Sequence, residues 1–155
     1  MNTFKKLSLS LMLATSILLP FGTVPTQAAP ITGAYGEVRT TAKAVVTVDA
    51  TIKEVRGYDE DREHQHLLVD DIRVQEIENG SADDIPNRAF VSIRIDEQGT
   101  EKEIPNLRAG APIEIKGEFI PEEEAYETPH NCCDAVIHFT HDPLGYVRYD
   151  GTLYR

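Results

Sequence analysis

The sequence predicts an all-β protein in which a small five-stranded barrel is followed by a C-terminal β-hairpin. Short segments alternate apolar and polar residues at period two, and no segment shows a helical stripe longer than about two turns. The first predicted strand has about 12 residues, whereas strands usually have about 5 or 6. A chain of five or more strands hides its sheet edges by closing into a barrel or by stacking two sheets. One long, bent strand shared between two halves is typical of an OB-type barrel, which is therefore the favoured fold.

The first strand is predicted over residues 44–55, where Val46, Val48 and Ile52 fall on one side and polar residues fall opposite. An interval rich in Asp and Glu follows it, and turn-forming residues separate the later segments. The remaining barrel strands are predicted over residues 64–77, 90–95, 113–119 and 135–141.

Two glycine positions add to this assignment. In the fourth strand Gly117 is expected to permit the bend that a barrel strand needs. Residues 146–149 and 152–154 flank Asp150-Gly151, a pair that favours a two-residue type I′ turn. This pattern predicts the closing hairpin.

The N-terminal segment has the three parts of a secretory signal peptide. Lys5 and Lys6 precede an apolar run over residues 7–19, and small residues before Ala29 suit a signal peptidase. The run has about 13 residues, fewer than the roughly 20 that span a bilayer. We therefore expect an exported, secreted protein with no membrane span after signal removal. The predicted boundaries are 1–28 for the signal peptide, 29–40 for a flexible mature N-terminus and 41–155 for the OB-like barrel domain.

The protein is acidic, and this limits its partners. Its 26 Asp and Glu residues outnumber its 15 Lys and Arg residues, which gives a net charge of -11. Removal of residues 1–28 deletes two lysines and no acid, so the mature chain would carry -13. A nucleic-acid binder needs a cationic surface. Nucleic acid is therefore not expected as a partner, and a small ligand, a protein or a cell-envelope component is expected instead.

The C-terminal part carries a distinctive run of residues. From Val136 it reads Val-Ile-His-Phe-Thr-His-Asp-Pro, followed by Gly145, Asp150-Gly151 and Tyr154. Together with Arg62, His64-Gln65 and the Gly117–Phe119 segment, this run resembles a family of small exported bacterial proteins of unknown function. Members of that family end in His-Trp-Thr-His-His-Asp-Pro, a short hairpin and a terminal Tyr.

The resemblance covers about 90 residues, from Arg62 to Tyr154. It implies an OB-like barrel and export, and it carries no established reaction. The sequence departs from the family pattern at Phe139, which replaces Trp, at a missing His before Asp-Pro, and at an added Asn-Cys-Cys-Asp before the fifth strand. The counterparts of the family motif are His64, Gln65, His138, Thr140, His141, Asp142 and Pro143.

The candidate catalytic residues are His64, His138, His141 and Asp142, as general acids and bases or as metal ligands of a hydrolase. Side chains alternate in a regular strand, so His138 and His141 would point to opposite faces unless a bulge or a strand end intervenes. The alternative is a structural role, in which Asp142 accepts backbone N–H groups at a turn and Pro143 directs the chain into the hairpin.

The candidate metal ligands are His64, His66, His130, Cys132 and Cys133. His64 and His66 are two residues apart and share a strand face, which is the spacing of a two-histidine metal pair. The His-Asn-Cys-Cys-Asp run that ends at Asp134 offers nitrogen, sulfur and oxygen ligands to a soft metal. The alternative is that the histidines belong to the surface or to the barrel wall.

Cys132 and Cys133 are the only cysteines, and oxidising surroundings would favour their pairing. The Cα atoms of neighbouring residues lie about 3.8 Å apart, below the usual disulfide range of about 4.4 to 6.8 Å. A vicinal bond is therefore unfavourable on geometry. A vicinal or intermolecular disulfide, free thiols and a metal site stay open.

Two classes of function follow from these residues. The favoured one is a non-catalytic module that binds its ligand on the open face of the barrel, and the alternative is a hydrolase. The sequence has no Gly-x-Ser-x-Gly motif and no glycine-rich nucleotide loop, its acidic clusters lack EF-hand spacing, and it does not identify a cofactor. Convergence of the candidate side chains in a pocket would favour the enzyme, and their dispersal would favour the module.

Overall fold

The computed structural model describes residues 42–155. The predicted signal peptide over residues 1–28 and the predicted mature N-terminus over residues 29–40 lie outside the described residues. Strands account for the regular structure of the described part, apart from two 3-10 turns at Ala82–Asp84 and Glu122–Glu124. Residues 42–155 contain no helix that is long and apolar enough to cross a membrane.

Seven strands form one continuous sheet. They are β1 (Val45–Tyr58), β2 (His64–Glu78), β3 (Arg88–Arg94), β4 (Pro112–Ile120), β5 (Val136–His138), β6 (Tyr146–Tyr149) and β7 (Thr152–Tyr154).

Five of these strands close into a ring in the order β1, β2, β3, β5, β4 and back to β1. Strands β3 and β5 run parallel, with Phe90 opposite Val136 and Val91 opposite Ile137, and the other pairs are antiparallel. The hairpin of β6 and β7 continues from β4 outside the ring. The all-β, five-stranded OB-like barrel with a C-terminal hairpin is confirmed.

Strand β1 is long because it serves two neighbours. Residues 45–51 pair with β4 on one side and β2 on the other, whereas the residues after Ile52 pair with β2 alone. Several register shifts against β2 bend the strand. Its alternation sends Val46, Val48 and Ile52 fully into the barrel interior, as the period-two pattern predicts.

A buried amide ties the long connection between β3 and β4 to the barrel. The Gln65 side chain donates to the Ile104 carbonyl at 3.1 Å and accepts from the Ile104 backbone N–H at 3.0 Å. Gln65 is 5% exposed and Ile104 is 1% exposed. Because a buried backbone group without a partner is costly, Gln65 holds an otherwise irregular segment over the core.

The closing hairpin forms as predicted. Asp150 has φ +47° and Gly151 has φ +77°, and positive φ at both central residues is what a type I′ turn requires. Tyr149, the residue before the turn, is buried, and its hydroxyl donates to the Asn106 carbonyl at 2.8 Å. The hairpin therefore packs back on the β3–β4 connection.

Strand β5 is shorter than predicted, because it ends at His138 instead of continuing to residue 141. Phe139 has φ +53°, a left-handed conformation that breaks the extended backbone. Gly117, for which the sequence predicted a bend, also has a steric role. A Cβ at position 117 would collide with the His138 carbonyl, so the glycine permits the close approach of β4 and β5.

The predicted turn-capping role of Asp142 is wrong. The Asp142-Pro143 peptide bond is cis, and the turn is closed by the His141 carbonyl, which accepts from Leu144 N–H at 3.1 Å and Gly145 N–H at 2.8 Å. Within residues 42–155 no backbone N–H donates to the Asp142 carboxylate, which instead lies 3.8 Å from the Arg155 guanidinium.

We expect Gln65→Leu to lower the free energy of unfolding by about 2 kcal/mol, because it leaves the buried N–H and C=O of Ile104 without partners. Denaturant unfolding measures this change. Gln75→Leu is the matched control, since Gln75 is exposed and makes one hydrogen bond, to Asp49, and its effect should stay within about 0.5 kcal/mol. Equal effects of the two substitutions would contradict the anchoring role of Gln65.

Candidate functional site

The five histidines of the protein lie along one outer surface of the barrel, which we call the histidine face. It consists of His64, His66, His130, His138 and His141, together with Phe90 and Phe139. The alternation of β2 explains the placement of the first two. Gln65 and Leu67 point into the barrel, so His64 and His66 point outward, where they lie opposite Arg94 and Ser92 of β3.

The rings of the face form a row. His130 and His66 have centroids 5.0 Å apart, His66 and His64 6.3 Å, and His64 and His138 5.5 Å. Phe139 continues the row from His138 at 4.4 Å. The parallel pairing of β5 with β3 brings His138 next to β2, although 72 residues separate it from His66 in the sequence.

The end of β5 adds His141 to this row. The prediction that His138 and His141 point to opposite faces does not hold, because the left-handed conformation of Phe139 interrupts the alternation. His141 lies beyond Phe139, with a centroid separation of 6.3 Å. Thr140, between them, is fully buried. The alternation was predicted to hold unless a bulge or a strand end lay between His138 and His141. The end of β5 at His138 is that exception.

The loop between β4 and β5 brings His130 to the face. Arg56 of β1 donates from Nη1 to the His130 carbonyl at 2.6 Å, and His130 Nδ1 lies 3.2 Å from the Arg56 carbonyl oxygen. A buried Asn131 stabilises the loop after it, since its side chain bonds the backbone C=O and N–H of Asp134. Hydrogen bonds of its carbonyl and of its ring to Arg56 thus hold His130, and its ring contacts that of His66 at a tilt of 53°.

Asp59, in the loop between β1 and β2, orients His64. One carboxylate oxygen lies 2.7 Å from His64 Nδ1, and the other accepts the His64 backbone N–H at 3.0 Å. Partial burial acts to raise the pKa of Asp59, but these hydrogen bonds outweigh it and the pKa is lowered. Because the carboxylate accepts at Nδ1, the neutral ring carries its proton there and leaves its Nε2 lone pair free.

Burial keeps two histidines of the face neutral. It lowers the pKa of His66 to about 4, with charge repulsion from His130 as the second cause. It also lowers the pKa of His138 to about 4, with His64 and His141 as the next contributors. His66 is 6% exposed, and its Nδ1 has no hydrogen-bond partner among residues 42–155. At neutral pH the His66 and His138 rings of the face are therefore uncharged.

The remaining candidate residues do not join the face. Cys132 and Cys133 form a disulfide with each other, so in this oxidised state they offer no thiolate to a metal. Asp134 pairs with Arg88 at 2.6 Å, and His130 turns away from it toward His66. The structure therefore separates the residues of the predicted soft-metal run, and Asp142 is exposed on the hairpin side of His141.

Two cavities lie beside the β4–β5 loop. One has a volume of about 370 Å³ and borders the disulfide, and the other, about 900 Å³, lies between the 79–88 and 118–126 segments. Neither is lined by a histidine. The candidate histidines thus converge on the outer surface and not in these cavities. Within residues 42–155 no group of three or more ligands is positioned around one point for a metal ion.

The sequence predicted the shared face of His64 and His66 but missed the residues that support it. Asp59 and Arg56 act through hydrogen bonds from other segments, and Phe90 packs on His66 with ring centroids 4.9 Å apart. Asp59 offered the one signal in the sequence, since it lies five residues before His64 and a carboxylate often accepts the ring N–H of a histidine.

Comparisons with known proteins do not add to this description. No protein-family model, curated protein or solved structure matches the chain. The resemblance to small exported bacterial proteins stays a prediction, as does the export that it implies. The side chains of the histidine face are therefore the basis for a functional assignment.

We expect the folded state to lose stability as pH falls from about 6.5 to about 4 in metal-free buffer. Unfolded histidines take up protons near pH 6.5, whereas folded His66 and His138 do so only near pH 4. The unfolded state binds more protons in this window, so each histidine contributes a loss of up to about 1.4 kcal/mol per pH unit. Denaturant unfolding at several pH values measures the slope.

Substitution of one buried histidine tests this assignment. His66→Phe keeps an apolar ring on Phe90 and removes one titrating group, so the slope should fall by about half. His141→Gln is the comparison and should lower the slope less than His66→Phe does, because it removes only one of the repulsions that lower the pKa of His138. A pH-independent stability of the unsubstituted protein would contradict the burial effect.

Proposed function

We propose that the protein is an exported ligand-binding module and that the histidine face is its binding surface. The single observation that carries this proposal is the position of the ring row. It lies on the outer side of β2, β3 and β5, between the β1–β2 loop that holds Asp59 and the β4–β5 loop that holds His130. OB-type barrels bind their ligands on the face of their second and third strands, flanked by the same two loops.

The charge of the histidine face limits the class of ligand that it can bind. Its rings are neutral where burial lowers the histidine pKa, and the protein as a whole carries a net charge of -11. The arginines on this side already have partners in the protein: Arg94 pairs with Asp96 at 2.8 Å, Arg88 pairs with Asp134 at 2.6 Å, and Arg56 donates to the His130 carbonyl at 2.6 Å. In an acidic protein these few arginines do not favour a polyanion, and the ligand is expected to be neutral or cationic.

Export is part of the proposal, and it rests on the features of residues 1–28. A basic start, an apolar run too short for a membrane span and small residues before Ala29 are typical of a signal peptide. An intact N-terminus at Met1 in the secreted fraction, found by N-terminal sequencing, would contradict processing before Ala29.

Imidazole NMR signals provide a direct test of the binding surface. The protein has five histidines, so five ring signals report on one face. We expect a neutral glycan probe, an N-acetylglucosamine oligomer, or a cationic probe, ZnCl₂, to shift several of these signals. Phe139→Ala should weaken glycan binding, because Phe139 is 40% exposed within the row. Leu153→Ala is the matched control, since Leu153 is 41% exposed on β7 outside the ring.

Two results would overturn the proposal. One is the absence of any shift with both probes. The other is equal loss of binding in Phe139→Ala and Leu153→Ala, because general surface hydrophobicity would then account for the effect.

A hydrolase is the second candidate, and the Asp59–His64 pair is the observation that favours it. A carboxylate that orients a histidine is the arrangement of a general base. A catalytic nucleophile should lie within hydrogen-bond reach of that base. Ser92 lies on the same side of the sheet, opposite His66, but no hydrogen bond within residues 42–155 joins it to a histidine.

We therefore expect no hydrolysis of a chromogenic acyl ester above the uncatalysed rate. A rate that falls at least 100-fold in His64→Gln and is unchanged in His141→Gln would instead establish the hydrolase. The measurement uses untagged protein, because a polyhistidine tag itself carries imidazole bases.

A further inference from the structure

His64 and His138 lie at a separation that one metal ion can bridge. Their ring centroids are 5.5 Å apart. Two imidazoles bound to one tetrahedral zinc ion through nitrogens at about 2.1 Å have ring centres roughly 5 Å apart. The 5.5 Å separation of the two ring centres is therefore close to that of a two-imidazole zinc site, in which water fills the remaining positions.

The hydrogen bonds of the pair suit this role. Asp59 accepts at His64 Nδ1 and at the His64 backbone N–H, which directs the Nε2 lone pair away from the carboxylate. A carboxylate on the second ring nitrogen is how proteins orient metal-binding histidines. The ring of His138 makes no hydrogen bond to any of residues 42–155, so both of its nitrogens are free of protein partners.

A second pair, His66 and His130, is also close in space, at 5.0 Å. It is less suited to a cation for two reasons. The Arg56 guanidinium bonds the His130 carbonyl at 2.6 Å and places a positive charge beside the pair, and His66 is buried against Phe90. His64 instead has the Asp59 carboxylate on its ring, and the guanidinium of Arg94, opposite His64, is paired with Asp96.

We propose that His64 and His138 bind a divalent transition-metal ion that prefers imidazole ligands, such as Zn²⁺, Cu²⁺ or Ni²⁺, with Asp59 as a positioning residue. The inference rests on the proposed function, because it names the ligand of the same face. Mg²⁺ and Ca²⁺ do not fit the site, since they prefer oxygen ligands. No third ligand is positioned within residues 42–155, so solvent completes the coordination and the ion is exchangeable.

Calorimetric titration of untagged, metal-free protein with ZnCl₂ tests the proposal. We expect one ion per chain, with no competition from Mg²⁺. His64→Gln and His138→Gln should each weaken binding at least tenfold. Glu76→Gln, which changes an exposed carboxylate of β2 outside the histidine face, should change it less than twofold. The positioning role of Asp59 predicts that Asp59→Asn weakens binding about tenfold and has no further effect in the His64→Gln background.

The unsubstituted protein supplies a test that does not depend on the folding of variants. Zinc should shift the ring signals of His64 and His138 and leave that of His141 in place. Absence of zinc binding, or loss of binding in His130→Gln but not in His138→Gln, would overturn the assignment. If zinc fails while the glycan oligomer shifts the ring signals, the metal inference alone is overturned. If both probes fail, the proposed function falls with it.

Discussion

The parallel contact between β3 and β5 is the constraint on which the arrangement of the molecule depends. It is short, with Phe90 opposite Val136 and Val91 opposite Ile137, and the Phe90 N–H also donates to the Ala135 carbonyl at 2.8 Å. These few pairings close the ring and remove the free edges of both strands. The same contact places His138 beside β2. The strand pairing that closes the barrel therefore also assembles the histidine face.

The length of β5 is set by local backbone geometry. Gly117 lets β4 approach the His138 carbonyl, and Phe139 then leaves the extended region with φ +53°. A longer strand would have turned His141 to the opposite side of the sheet. Early termination therefore explains why the two histidines of the C-terminal run lie in one row, on either side of an exposed aromatic ring.

Burial lowers the pKa of a histidine and the negative net charge of the protein raises it, and for the buried histidines of the face burial has the larger effect. An acidic protein favours protonated imidazole, because negative charge stabilises the cation. Even so, the pKa values of His66 and His138 fall to about 4, since both rings lose water and each lies near other histidines. Neighbouring cationic histidines would repel one another, so a row of five is compatible with folding at neutral pH because its buried members stay uncharged. The neutral ring of His138, which is less buried than His66, therefore keeps its unprotonated nitrogen available to a ligand.

The sequence by itself determined the strands and turns that depend only on residues close to one another in the chain. Period-two alternation predicted β1 and the shared face of His64 and His66, and Asp150-Gly151 predicted the hairpin, because strand faces and tight turns depend on neighbouring residues. Only the tertiary structure decided which distant segments meet. His130 is held beside His66 by Arg56, which precedes His130 by 74 residues in the sequence. The Cys132–Cys133 bond removes the predicted thiolate ligands. The His141 carbonyl, and not the predicted Asp142 carboxylate, closes the turn before the hairpin. These outcomes depend on strand order, loop path and competing hydrogen bonds, and none of them is encoded in a repeat of two or three residues.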